Sequence, residues 1–167
     1  PFEKITVVQI CEKYGMSRNS FYYHFKDKFD LVAWIFDEEY VDLVNNRSFT
    51  PWGFMEVLCG YLYDNRDFYR KVLKDQGQNS FSEHFEEFIY PLMQNQLHVE
   101  CGCENIPPIC IDFMADGFIC SIRRWLLEKD CMTAEQFVSV FKTLVENIVV
   151  GYSRQAESGK DKKESAI

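Results

Sequence analysis

The sequence predicts an all-α protein, and three observations carry the prediction. Helix-start signatures recur. Thr6, Ser80 and Thr133 are each followed three residues on by Gln9, Glu83 and Gln136, the spacing at which two side chains reciprocally satisfy two orphan amides. Apolar residues return at three- and four-residue intervals, as at Phe81, Phe85, Phe88, Ile89 and Leu92. Alternating apolar and polar runs, the mark of half-buried strands, do not occur, and there is no internal repeat.

The most specific pattern is Thr6 to Lys28, TVVQICEKYGMSRNSFYYHFKDK. Thr6 opens a short helix, Val7 to about Tyr14, with Val7, Val8, Ile10 and Cys11 as its apolar face and Glu12 and Lys13 toward water. Gly15 closes it, since glycine enters the left-handed region at little steric cost. Met16 plugs the turn, and Ser17 caps a second helix from Arg18 to about Phe25. Phe21 and Phe25, four apart, share a face and are expected to pack on the first helix. Arg18, Asn19 and Tyr22 fall on the other face, near its N-terminal end. Two short helices joined by a tight turn are the layout of a helix-turn-helix, whose second helix enters the major groove of DNA. Asp27, with Asp30 in the third helical place, caps a further helix carrying Leu31, Val32, Trp34, Ile35, Tyr40, Val41 and Val44. It is expected to end at Asn45-Asn46.

The remainder reads as a helical body. Thr50-Pro51 is a cap followed by proline at the first helical position. The helix after it carries Trp52, Met55, Leu58, Cys59 and Leu62, and a short one holds Phe68, Tyr69, Val72 and Leu73. The helix from Ser80 is expected to bend at Pro91, and residues 101–108 form a loop. A long helix runs from about Pro108 to Lys129. The last runs from Thr133 to about Arg154, and Phe137, Val140, Phe141, Leu144, Val145, Ile148, Val149 and Tyr152 make it apolar over more than half its circumference. Such a helix needs a second partner, and a second copy of the chain is the expected one. Trp125, Phe137, Phe141, Leu144, Ile148 and Tyr152 are the candidate dimer interface. The domains expected are 1–46, the helix-turn-helix with its connecting helix; 47–154, a regulatory and dimerisation bundle; and 155–167, a polar, lysine-rich, disordered tail.

Composition narrows the function. With 47% hydrophobic and 16% aromatic residues in a 167-residue chain, a substantial core is expected. No apolar run approaches the roughly 20 residues of a membrane helix, so no membrane partner is expected. The seven cysteines, an odd number, mostly sit among apolar residues and read as reduced, buried thiols of a cytoplasmic protein. The net charge of −8 is unevenly spread. Residues 1–28 hold five basic against three acidic residues, and the remainder holds 13 against 23. An acidic body repels phosphate, which leaves the basic head as the DNA face. The sequence starts at Pro1-Phe2 without a Met, so the natural N-terminus is expected to lie upstream.

From Ile5 to Leu31 the chain resembles the DNA-binding domain of the TetR/AcrR family of one-component bacterial regulators. Thr6 at the first cap, Gly15 in the turn, Ser17 before the second helix, the run Phe21-Tyr22-Tyr23-His24-Phe25 and Lys28 carry the match. The body segments YLYDNRDFYRKVL and FICSIRRWLLEKD are similar to a C-terminal domain type of that family, in a subgroup containing regulators of dihydroxyacetone kinase operons. The resemblance implies a ligand-responsive transcriptional regulator, a homodimer on an inverted-repeat operator, with double-stranded DNA and an unknown small-molecule effector as partners. Repressor action is expected, with activation the open alternative. Arg18 and Asn19 would read bases, as Arg suits guanine and Asn suits adenine, and Tyr22 would reach a base, sugar or phosphate. Thr6, Ser17, Tyr23 and His24 would meet phosphates through side chain or backbone, and Lys28 would meet one at the start of the next helix. For Tyr22 and Tyr23, partial core packing stands as an equal alternative; for His24, helix capping or a core hydrogen bond does. Candidate pocket residues are Trp52, Met55, Tyr61, Tyr69, Phe85, Phe88 and Phe113, with ordinary core packing the competing role of each. The family also has a helix ahead of the PFEKITV segment. The sequence begins past it, which implies weaker DNA binding than in a chain that carries it.

Two other readings compete. His98, Cys101, Cys103 and Cys110 place four soft ligands within 13 residues, which suits a metal or thiol sensor. Cys-x-Cys is sterically awkward for one metal, so no metal and no cofactor is expected. The other is an adaptor whose helix-turn-helix-like head binds only protein. An enzyme is not expected: there is no glycine-rich phosphate loop, no HExxH and no nucleophile elbow.

Overall fold

The structure, a computed structural model, describes residues 2–45, 52–74, 81–101 and 107–148. They form a 3-10 turn, η1 (Phe2–Lys4), and the helices α1 (Val7–Tyr14), α2 (Arg18–His24), α3 (Lys28–Asn45), α4 (Gly53–Asp64), α5 (Arg66–Val72), α6 (Phe81–Cys101) and α7 (Pro108–Leu127). A further helix, α8, covers residues 134–148. No strand occurs among the described residues. The fold is all-α, with a helix-turn-helix at one end and a helical bundle behind it.

Local chemistry sets these boundaries. Thr6 closes a full capping box: its Oγ1 accepts from the Gln9 amide at 3.3 Å, and the Thr6 amide donates to Gln9 Oε1 at 2.9 Å. Gly15 ends α1 with φ 66°. Asp27 Oδ1 accepts from the amides of Phe29 and Asp30 at 2.7 and 3.0 Å, and Asp30 reaches back to the Lys26 amide at 2.9 Å. Thr133 and Gln136 repeat the reciprocal cap at the start of α8. The expected cap at Thr50-Pro51, Ser80 of the next one, and residues 149–167 lie outside the described residues. The expected bend at Pro91 does not break α6, which is helical throughout.

α3 joins head to body. Phe36, fully buried on α3, stacks on Tyr40 at 5.6 Å and meets Phe81, Phe85 and Phe88 of α6 edge-on at 5.5, 5.8 and 5.2 Å. Three polar ties flank it: Asp37 to His84 at 2.8 Å, Glu39 to Tyr61 at 2.6 Å, and Tyr40 to the Phe54 carbonyl at 3.1 Å. At the far end of the bundle, Trp125 of α7 is sandwiched between Tyr63 of α4 (5.8 Å) and Phe137 of α8 (4.5 Å). Its indole N–H donates to the Met132 carbonyl at 2.7 Å. Arg70 of α5 donates to the carbonyls of Leu126 and Glu128, both at 2.6 Å, supplying donors where α7 runs out of its own.

Candidate nucleic-acid interface

α2 is fastened from one side only. Phe21 is 1% exposed and packs on Phe25, ring centroids 5.5 Å apart, and Phe25 in turn meets Trp34 of α3 at 5.7 Å. Ser17 Oγ accepts from the Ser20 amide at 3.0 Å and fixes where the helix begins. With Phe21 turned inward, helical spacing turns Arg18, Asn19 and Tyr22 outward, and all three are exposed. Tyr22 is 57% exposed and Tyr23 84%, so neither is a core residue. His24 is exposed and stands edge-on to Tyr23 at 4.8 Å. A helix presenting arginine, asparagine and tyrosine to solvent can offer donors and acceptors to base edges and phosphates.

Around this helix, the expected Thr6 cap forms, while the Lys28 side chain is placed differently from expectation. The Thr6 hydroxyl is engaged within its own capping box, so the donors of that region are the first amides of α1. The Lys28 ammonium is used elsewhere than expected. Its Nζ donates to the carbonyls of Phe2, Glu3 and Ile5 at 3.0, 3.0 and 3.2 Å, which occupies all three N–H groups. It also lies over the rings of Phe2 (4.7 Å) and Phe29 (5.2 Å). On α1, Val8 was expected on the inner face but is 41% exposed, as is Ile5 at a similar level, while Cys11 is buried.

The body redistributes the other candidates. Of the expected pocket residues, Trp52, Met55, Tyr61, Tyr69 and Phe85 are buried in the common core, and Phe88 packs on Phe36 and Tyr40. Phe113 is on the outside, 71% exposed, because Ile111, Met114, Ala115 and Phe118 take the inner face of α7. Two surface clefts of about 340 and 500 Å³ are lined by Lys26, Asp27, Asp30, Glu83, His84 and Glu87 among others, and by Glu56, Glu135, Ser139 and Lys142 among others. Neither includes an expected pocket residue, whereas a smaller cleft of about 50 Å³ between α6 and α7 includes Phe85. Among the buried groups, the Tyr69 hydroxyl shares a 2.6 Å hydrogen bond with the Tyr61 hydroxyl, which donates to Glu39. Burial, with the nearby carboxylates, holds both phenols above the usual tyrosine range.

The expected dimer residues divide. Trp125, Phe137 and Phe141 are core residues, since Phe118 and Trp125 of α7 draw them inward. Leu144 and Ile148 are half exposed, and Val140 joins them on the same stripe of α8. On α7, Ile109, Phe113 and Cys120 are exposed. Tyr152 lies outside the described residues. So do Cys103 and the side chain of Cys101 of the suggested metal cluster; no group of three potential ligands gathers among the described residues. The expectation of buried thiols holds for Cys11 and Cys59 but not for Cys120, which is exposed.

Fold and site together define a class: a helix-turn-helix on a helical bundle. Residues 50–147, more than half of the chain, match the TetR-type family described as transcriptional regulator C-terminal region. The chain belongs to this family of transcriptional regulators, and the relatives it is similar to are transcriptional regulators and not enzymes. A relative from Lactococcus lactis subsp. lactis (strain IL1403), the HTH-type dhaKLM operon transcriptional activator DhaS, is 28% identical over 98 residues. The match covers 58% of this chain and 49% of that protein, so it spans about half the length of the curated relative. A solved structure of the dihydroxyacetone kinase operon activator DhaS aligns over 89% of this chain and 86% of that one. Its TM-score is 0.58 at 21% identity, which shows a shared fold. Among the described residues no helix is long and apolar enough to cross a membrane.

Proposed function

We propose that this protein is a dimeric, effector-responsive regulator that reads an inverted-repeat operator with α2. The carrying observation is the one-sided burial of that helix. Phe21 is sealed in, while Arg18, Asn19, Tyr22 and Tyr23 stand in solvent. Arg18 and Asn19 read bases, Tyr22 reads a base or sugar, and Ser17, Tyr23 and His24 with the first turn of α1 at Thr6 meet the phosphates. Arg18→Ala and Asn19→Ala are expected to change which sequences are preferred, each costing about 1–3 kcal/mol at the position it reads. Uniform weakening across all sequences would move these residues from base reading to phosphate contact.

The second copy supplies the partner that the outer face of α7 and α8 lacks. Phe113, Val140, Leu144 and Ile148 give it an apolar stripe, and the exposed Gly117 has open space above it where a partner helix fits closely. Effector response is supported by Trp52. It is 4% exposed, yet its indole N–H has no hydrogen-bond partner among the described residues, and a polar ligand would satisfy such an orphan donor. Ligand preference for one of two dimer geometries would then shift operator affinity. The names of the relatives favour activation over the repression expected from the sequence, and a dihydroxyacetone kinase operon as the target.

A further inference from the structure

We infer that Lys28 is a positioning residue of the reading head, acting by clamping the turn that leads into α1 and not by holding a phosphate. The inference rests on the DNA-binding reading above. The three carbonyls that Lys28 Nζ bonds belong to Phe2, Glu3 and Ile5, at the end of η1. The Phe2 carbonyl also accepts from the Ile5 amide at 3.0 Å, and carbonyls at the end of a helical turn keep lone pairs to spare and carry partial negative charge, so an ammonium is stabilised there. At its own place Lys28 gains nothing comparable. It is the first residue of α3, where the helix dipole disfavours a cation. The ring of Phe2, 7% exposed, lies beneath the ammonium and meets Phe29 edge-on at 5.4 Å.

The position of the clamp explains its use. Ile5 runs directly into Thr6, the cap of α1, while Lys28 stands at the junction of α2 and α3. One side chain therefore ties the entry of α1 to the exit of α2. That tie holds the angle at which Arg18 and Asn19 are presented. For the ammonium to take a phosphate, it would have to give up one of these three carbonyls.

The test compares wild type with Lys28→Met, Lys28→Arg, Phe2→Ala and the Phe2→Ala/Lys28→Met double variant. The probe is one fixed random-sequence duplex, titrated at several salt concentrations, with helix content verified by circular dichroism at the same temperature. Lys28→Met is expected to weaken binding about three- to tenfold with an unchanged slope of log affinity on log salt. Lys28→Arg, which keeps donors for the carbonyls, is expected to recover most of that loss. Adding Phe2→Ala to Lys28→Met should cost little more, because both act through one turn. Deuterium exchange should quicken at the Ile5 amide, which donates to the Phe2 carbonyl at 3.0 Å. The proposal is overturned if Lys28→Met lowers the salt slope by about 0.9, if the two substitutions add, or if Ile5 exchange is unchanged. If no version binds the duplex in a salt-dependent way, the DNA-binding reading fails instead, and the Ile5 exchange still decides whether the clamp exists.

Discussion

Tyr61 and Tyr69 place two hydroxyls inside an aromatic core, and Tyr69 depends on Tyr61 for its partner. Tyr61 donates to Glu39, and the Tyr69 hydroxyl lies 2.6 Å from it. Tyr61→Phe leaves the fully buried Tyr69 hydroxyl without its partner, an orphan worth about 1–3 kcal/mol. Tyr69→Phe removes the buried group itself and leaves Tyr61 on Glu39. Thermal unfolding is expected to show the larger loss for Tyr61→Phe. The same pair sets a pH dependence. Both phenols are held above the ordinary value of about 10, so the unfolded chain releases protons first as pH rises. Their contribution is complete below about pH 10 and is lost above it. Urea midpoints should fall on going from pH 9 to pH 11, to about those values, and less steeply in a Tyr61→Phe/Tyr69→Phe chain.

At the scale of elements, the helix starts were legible because capping is local. Thr6 with Gln9, Asp27 with Asp30, and Thr133 with Gln136 each close within a few residues, and all three form. What escaped sequence reading was the rotation of α7 and α8. α8 is apolar over most of its circumference, so its periodicity could not say that Phe137 and Phe141 face inward while Leu144 and Ile148 face out. Phe113 misled for the same reason. Lys28 was unreadable in another way: its partners lie 23 to 26 residues earlier in the chain, and no local pattern announces them. α3 carries the link between head and body, and Phe36 is its key. Phe36→Ala should cost about 3–5 kcal/mol, read as a lowered denaturation midpoint, because Phe81, Phe85 and Phe88 all lose their contact. A cost below about 1 kcal/mol would show that α6 collapses freely into the space.

The whole molecule is a division of charge and of surface. A basic head of 28 residues sits on an acidic body, so phosphate is attracted at one end and repelled at the other. In the proposed dimer, the outer apolar stripe of α8 with the exposed Phe113 of α7 is the surface offered to a second copy. Leu144→Glu combined with Ile148→Glu should shift the chain to monomer in sedimentation and weaken operator binding, with helix content unchanged. An undisturbed dimer would place the interface elsewhere. The central claim, that α2 of each protomer reads a half-site, is tested most directly by selecting duplexes from a randomised pool with this protein. The account expects enrichment of an inverted repeat whose half-sites lie about 34–36 Å apart along the helix axis, or close to it. Enriched sequences without two-fold symmetry, or no enrichment at all, would contradict it.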